Sequence, residues 1–145
     1  MRRITWELKI HDAEEKPLKF SGPEDVYQFL VSLGIRDRER ETLTVLLLNR
    51  RKELMGYETV SLGTADAAIV HPREVYRAAV SAGADCIIIA HNHPSGDPRP
   101  SREDSAVTLK LQEAGEILGI PLQDHIIIAA GNDGYNCMEG KTVPE

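Results

Sequence analysis

Two histidines and an aspartate stand in the sequence at a spacing that suits a metal ion. His91 and His93 are one residue apart, so in an extended segment their side chains point to the same side. Pro94 disfavours a helical backbone at His93 and supports that geometry. With Asp104, two neutral imidazoles and one carboxylate form a three-ligand zinc set that leaves the fourth tetrahedral position to water. Because an open position is typical of catalytic zinc, the segment predicts a metal-activated hydrolase site.

Each part of this pattern also has a purely structural interpretation. Two histidines can simply end a strand at the surface, and Ser101 with Asp104 also fits a helix capping box. The pattern is more specific when its parts are combined, because a strand end, a Pro/Gly-rich turn and the first turn of the next helix bring three ligands together. The two roles are compatible, since Ser101 can cap the helix while Asp104 turns toward the metal.

Composition limits the classes of function. The 145 residues suit one domain, and 17 basic against 23 acidic residues give a net charge of −6. That sign disfavours sequence-independent binding of nucleic acid. A local basic patch stays open as an alternative, but a solvated surface is the favoured interpretation of its candidate residues, which are Arg36, Arg38, Arg40, Arg50, Arg51 and Lys52. No apolar run approaches the roughly 18 residues of a membrane span, and no signal-peptide pattern opens the chain. We therefore expect a cytoplasmic protein with no membrane partner and no strong nucleic-acid partner.

Hydrophobic periodicity predicts the elements that position the three candidate ligands. The apolar run 86–90 predicts a buried strand that ends at His91, and Ser101 opens a helix that Gly119 closes. The other predicted elements are a strand over 4–10, a helix over 21–34, a central strand over 41–48, a strand over 54–62, a helix over 72–83, and strands over 126–130 and 135–138. Strands and helices that alternate in this way indicate an α/β domain with a mixed central sheet flanked by helices.

The order of elements also suggests boundaries. We expect residues 1–20 to form an N-terminal strand and polar extension, and residues 141–145 to form a loose tail.

The motif resembles that of a known family. His91-Asn92-His93-Pro94 followed by Ser101 and Asp104 is similar to the JAMM metalloprotease motif of JAB/MPN domains. The longer motif His-Asn-His-Pro-Ser-Gly at 91–96 resembles the RadC family of bacterial proteins. The segments VHPREV at 70–75 and DH at 124–125 resemble the same family. The resemblance covers residues 21–140, and we therefore expect these residues to form a RadC-like JAB/MPN domain, whose fold is similar to that of cytidine deaminases. It also implies a zinc ion held by His91, His93 and Asp104.

The resemblance also implies the chemistry of a hydrolase. The general base of the family is a glutamate just before the first long strand, which corresponds to Glu41, with Glu39 as the alternative. Ser101 matches the motif serine that hydrogen-bonds the developing oxyanion or the water. The implied reaction is hydrolysis of peptide or isopeptide bonds, with a peptide or protein as substrate. Deamination is disfavoured because its H-x-E and P-C-x-x-C signatures are missing.

Two departures from the family pattern leave alternatives open. Asn92 stands where JAMM deubiquitinases usually have Ser or Thr, which weakens an inference of ubiquitin-like substrates. The resemblance to full-length RadC proteins implies two parts, of which the N-terminal one is a helix-hairpin-helix segment of DNA-binding type. We expect no such segment in the roughly 20 residues before the first helix. A DNA-repair role would therefore rest on the family label alone. The alternatives are a non-enzymatic, zinc-stabilised interaction module and a DNA-processing metalloenzyme.

The remaining histidines have weaker assignments. His71, before a proline at a helix start, indicates a structural turn or cap. His125 beside Asp124 fits either support for the metal ligands or ordinary structural hydrogen bonding. His11 lies in a polar segment and has no predicted role.

Overall fold

Residues 1–3, 16–61, 70–131 and 134–138 are described by the computed structural model of the protein. The predicted strand over 4–10, His11 and the predicted tail lie outside these residues. The described part contains three helices and five strands: α1 Pro23–Ser32, β1 Thr42–Leu48, β2 Leu54–Ser61, α2 Pro72–Ala82, β3 Cys86–His93, α3 Arg102–Leu118, β4 Leu122–Ala129 and β5 Tyr135–Cys137.

The strands form one mixed sheet in the order β2-β1-β3-β4-β5. β1 runs antiparallel to both β2 and β3, β3 runs parallel to β4, and β4 pairs antiparallel with β5. A parallel pair needs a crossover connection, and α3 provides it between β3 and β4. The carboxyl ends of β3 and β4 therefore meet the start of β1 at one edge, where Leu43 pairs with His91. The predicted α/β fold with a mixed sheet is confirmed.

Helices cover both faces of the sheet. Leu43, Val45 and Leu47 of β1 belong to the core on the side of α2 and α3, and Leu46 and Leu48 belong to the core on the side of α1. Because alternate residues of a strand face opposite sides, a run that is apolar at nearly every position is typical of a strand covered on both faces. The central position predicted for β1 is confirmed.

Strands β3 and β4 are longer than their apolar runs predict. β3 continues through both histidines, and His93 pairs with Ala129 of β4. β4 begins at Leu122 rather than at Ile126, so that Asp124 and His125 lie inside the strand. The two polar residues interrupt the apolar pattern, but in the parallel ladder Asp124 lies opposite Ile88 and His125 opposite Ile89, and this pairing extends the strand.

Two details of the helices depart from what the sequence pattern favours. Ser21 is of a type that often caps a helix, but the N-cap of α1 is Gly22, and the Ser21 backbone N–H donates to the Asp25 carboxylate. The helical spacing from Val107 continues the apolar stripe of α3 to Leu118, but Leu118 is 47% exposed. It lies in the last turn of α3, beside Val80 of α2 in a shallow surface groove between the two helices.

Candidate metal centre

The end of β3 and the start of α3 bring the three predicted ligands together around one carboxylate. Asp104 Oδ2 lies 3.2 Å from His93 Nε2, and Asp104 Oδ1 lies 3.5 Å from His91 Nδ1. The side chains of His91 and Asp104 are fully buried, whereas that of His93 is 13% exposed. The group is thus enclosed on the protein side and reachable from solvent at His93.

A capping box holds the carboxylate of Asp104. The Ser101 hydroxyl accepts from the Asp104 backbone N–H at 3.1 Å, and the Ser101 backbone N–H donates to Asp104 Oδ2 at 2.7 Å. Burial raises the pKa of Asp104, but hydrogen bonds from His93 and Ser101 outweigh burial and keep the pKa below its usual range. The predicted cap is confirmed. It uses Asp104 Oδ2 as the hydrogen-bond acceptor, whereas Asp104 Oδ1 faces His91.

The turn after β3 determines which nitrogen of His93 faces Asp104. Nδ1 lies 2.8 Å from the carbonyl oxygen of Asp97, and a carbonyl can only accept. Nδ1 therefore carries a proton and Nε2 points to the carboxylate. Gly96 lies in this turn with φ of 86°, in the left-handed region that glycine adopts without strain.

Two buried polar atoms of the predicted ligands have no hydrogen-bond partner among the described residues. They are His91 Nε2 and Asp104 Oδ1. Burial lowers the pKa of His91 to about 4, so the ring is neutral at neutral pH and one nitrogen has a lone pair. Unsatisfied buried groups each cost about 1–3 kcal/mol, and imidazole and carboxylate are ligands that zinc prefers. The residues present therefore fit a bound metal ion.

Glu41, the predicted general base, lies beside this group. Its Oε1 is 3.8 Å from His93 Nε2, and its side chain is 26% exposed. One ligand atom from each of Glu41, His93 and Asp104 lies within 4.8 Å of the others. Burial raises the pKa of Glu41, which makes the carboxylate a stronger base. Glu39 is exposed, so the geometry favours Glu41 over Glu39, and the role itself stays a prediction.

Asn92 points away from its two histidine neighbours and is fully buried. Its Oδ1 accepts from the backbone N–H and the hydroxyl of Thr42, and its Nδ2 donates to the carbonyls of Arg40 and Arg38. The amide thus connects β3 to the segment that carries Glu41. Sequence reasoning noticed Asn92 only as a departure from the motif, although strand alternation already placed it opposite the histidines.

A second layer of polar residues lies behind His91. His125 Nε2 is 2.7 Å from His91 Nδ1, and His125 Nδ1 is 2.8 Å from Thr108 Oγ1. The backbone N–H of His125 donates to Asp124 Oδ1. The sequence left two interpretations of His125 open, and the structure places it in direct contact with a predicted ligand. Thr108 was missed, although it lies four residues after Asp104 and so on the same face of α3.

His71 lies outside this group, as expected. It is the N-cap of α2 without a side-chain cap bond, and its carbonyl accepts from the backbone N–H groups of Glu74 and Val75.

A helix-flanked mixed sheet with His-x-His at a strand end and an acid at the start of the next helix defines an α/β domain of the JAB/MPN class. The chain belongs to the RadC family, because residues 20–142 match the family described as RadC-like JAB domain.

Curated relatives agree with this assignment. The chain is 47% identical to a UPF0758 protein of Desulforamulus reducens over 82% of its own length and 51% of the relative. It is 46% identical to a UPF0758 protein of Methanosarcina mazei, over 81% of the chain and 51% of the relative. It is 49% identical to UPF0758 protein TTE0897 of Caldanaerobacter subterraneus, over 77% of the chain and 47% of the relative. The chain therefore spans about half the length of the curated relatives it matches.

None of the three described helices combines the length and the apolar character that a membrane span requires.

Proposed function

We propose that this domain is a zinc-dependent hydrolase of the JAMM type that cleaves peptide or isopeptide bonds with water as the nucleophile. The observation that carries the proposal is the pair of buried atoms without hydrogen bonds, His91 Nε2 and Asp104 Oδ1. His91, His93 and Asp104 would hold the metal. The fully buried position of His91 and Asp104 would exclude water from the protein side of the site, while the exposed part of His93 leaves access for a substrate.

A bound zinc ion supplies a Lewis acid that lowers the pKa of water and polarises a carbonyl. Glu41 accepts the proton of the attacking water through Oε1 and passes it to the leaving amine. Its position 3.8 Å from His93 Nε2 puts this carboxylate beside the proposed metal ligands, and burial raises its pKa above the ordinary value. The Ser101 hydroxyl uses its oxygen to accept from Asp104, so its own proton is available to an oxyanion.

We propose a peptide or protein as substrate rather than nucleic acid. The net charge of −6 supports this choice, because a strong grip on phosphates depends on an excess of Lys and Arg.

Metal content is the experiment that tests this function. The protein is purified without added zinc, and its metal is measured beside Asp104→Ala and the control Asp85→Ala, whose exposed carboxylate lies at the opposite end of β3. We expect about one zinc per chain in the wild type and in the control, and loss of zinc in Asp104→Ala. A wild-type protein that takes up no zinc even when zinc is offered would overturn the proposal.

A further inference from the structure

The two histidines of the site differ in how their protons are placed. His93 Nδ1 faces a backbone carbonyl, which fixes its proton there. His91 Nδ1 instead faces His125 Nε2 at 2.7 Å, and a ring nitrogen of a neutral histidine can donate or accept. This hydrogen bond alone therefore does not decide which nitrogen of His91 is bare.

The chain of hydrogen bonds beyond His125 decides it. The Thr108 hydroxyl lies 2.9 Å from the backbone carbonyl of Asp104, which can only accept, so Thr108 gives its single proton to that carbonyl. Met138 Sδ, 3.7 Å away, is a weaker acceptor. Thr108 Oγ1 then accepts from His125 Nδ1 at 2.8 Å. The proton of His125 therefore lies on Nδ1, and the lone pair on its Nε2 accepts a hydrogen bond from the Nδ1–H group of His91.

The short contact between the two rings restricts where their protons can lie. His91 Nδ1 and His125 Nε2 are 2.7 Å apart, and two N–H groups cannot face each other at that distance, so one nitrogen donates and the other accepts. With the His125 proton on Nδ1, the acceptor is His125 Nε2 and the donor is His91 Nδ1.

The carboxylate of Asp104 supports the same assignment independently. Its Oδ1 lies 3.5 Å from His91 Nδ1. A negative oxygen at that distance favours a hydrogen on Nδ1 over a second lone pair. The opposite proton order would place N–H at His91 Nε2, where the atom is buried without an acceptor among the described residues.

We propose that Thr108 and His125 are positioning residues that fix His91 as the Nδ1–H tautomer and leave its Nε2 lone pair for the metal. The part of this inference that concerns metal rests on the proposed function, whereas the tautomer does not. Asp104 contributes in two ways. Its side chain faces both His91 and His93, and its backbone carbonyl is the last acceptor in a chain of hydrogen bonds, here called the relay, that runs from His91 through His125 and Thr108. The first turns of α3 thus present one ligand and set the proton of another.

The test measures the ring tautomers by ¹⁵N NMR in the metal-free protein at neutral pH. We expect the Nδ1–H form for both His91 and His125 in the wild type. Thr108→Val removes the acceptor for His125 Nδ1–H at nearly the same volume, so we expect the proton order to reverse and zinc affinity to fall about 10–100-fold. Thr108→Ser keeps the hydroxyl and should preserve both the tautomers and the affinity.

The tautomer and zinc-affinity measurements test the relay and the proposed function separately. A wild-type His91 with its proton on Nε2 would overturn the relay, and this measurement does not depend on any variant folding. If Thr108→Val keeps the wild-type tautomers and the wild-type zinc affinity, Thr108 has no role in positioning the protons of His125 and His91. The expected tautomers in a wild-type protein that binds no zinc would support the relay and reject the proposed function.

Discussion

The carboxamide oxygen of Asn92 accepts hydrogen bonds from both the backbone N–H and the hydroxyl of Thr42, at 2.7 and 2.8 Å. The amide nitrogen of Asn92 donates to the carbonyl of Arg40 at 2.8 Å. Because Glu41 stands between Arg40 and Thr42, one side chain holds the backbone on both sides of the predicted general base. The residue between the two histidines thus ties the proposed base to the proposed metal ligands.

Asn92→Ala should release the segment that carries Glu41. The change leaves buried backbone groups unsatisfied, so we expect a loss of about 1–3 kcal/mol in the free energy of unfolding and faster exchange of the Thr42 amide hydrogen. Urea unfolding and hydrogen exchange measure the two effects. Asn49→Ala is the matched control, because Asn49 Oδ1 accepts from the backbone N–H groups of Arg51 and Glu53 at the other end of β1. If the Thr42 amide exchanges equally fast in both variants, Asn92 does not hold the segment.

Asp104→Asn should separate the capping role from the ligand role. The amide oxygen of Asn can still accept from the Ser101 backbone N–H, but a neutral amide is a poor zinc ligand, so we expect a folded protein with little zinc. Ser101→Ala should do the reverse, because it removes the hydroxyl that caps α3 and costs about 1 kcal/mol while the ligands remain. Isothermal titration with zinc and urea unfolding test both variants. Equal zinc affinity in the two would contradict the ligand assignment of Asp104.

Glu41→Gln should keep zinc but lose hydrolysis. The amide cannot accept the proton of water, and loss of a general base typically lowers turnover about 10²–10⁴-fold. The measurement is cleavage of a fluorogenic peptide library by zinc-loaded protein. Glu39→Gln is the control and should cleave as the wild type does. Full activity in Glu41→Gln would move the base to another residue.

Zinc should raise the stability of the protein through the predicted ligands. At a free zinc concentration 100 times the Kd, linkage gives about 2.7 kcal/mol, seen as a higher midpoint of thermal unfolding that a chelator reverses. His91→Ala or His93→Ala should abolish the shift, because only two of the predicted protein ligands remain. His71→Ala, at the start of α2, should retain the shift. A shift that survives in both ligand variants would show that zinc binds elsewhere.

Gly115→Ala should destabilise the domain even though alanine favours helices. A Cβ at this position in α3 would lie 2.5 Å from Tyr76 Oη and 2.6 Å from the Ile120 carbonyl oxygen. Overpacking costs about 1–3 kcal/mol, which exceeds the gain of about 1 kcal/mol in helix propensity. Urea unfolding should show a net loss that Tyr76→Phe relieves only in part, because the backbone carbonyl stays. Gly56→Ala, with open space around it, is the control for the added methyl group.

Much of the fold and of the candidate site could be predicted because the signals are local. Strand alternation places His91 and His93 on one side, and the spacing from Ser101 to Asp104 forms the cap that the structure contains. The nearly continuous apolar run of β1 predicted its central position. These patterns depend on backbone geometry within a few residues, which the sequence expresses directly.

The rest depends on pairing between distant segments, and only the tertiary structure decided it. His125 meets His91 because β3 and β4 pair in parallel, with His91 opposite Ile127. Asn92 reaches Thr42 across 50 positions of the sequence because β1 and β3 are neighbours in the sheet. The sequence by itself determined which residues could bind a metal, whereas the register of the sheet decided which polar groups stand behind them. Register follows from the packing of the whole core, so no local pattern contains it.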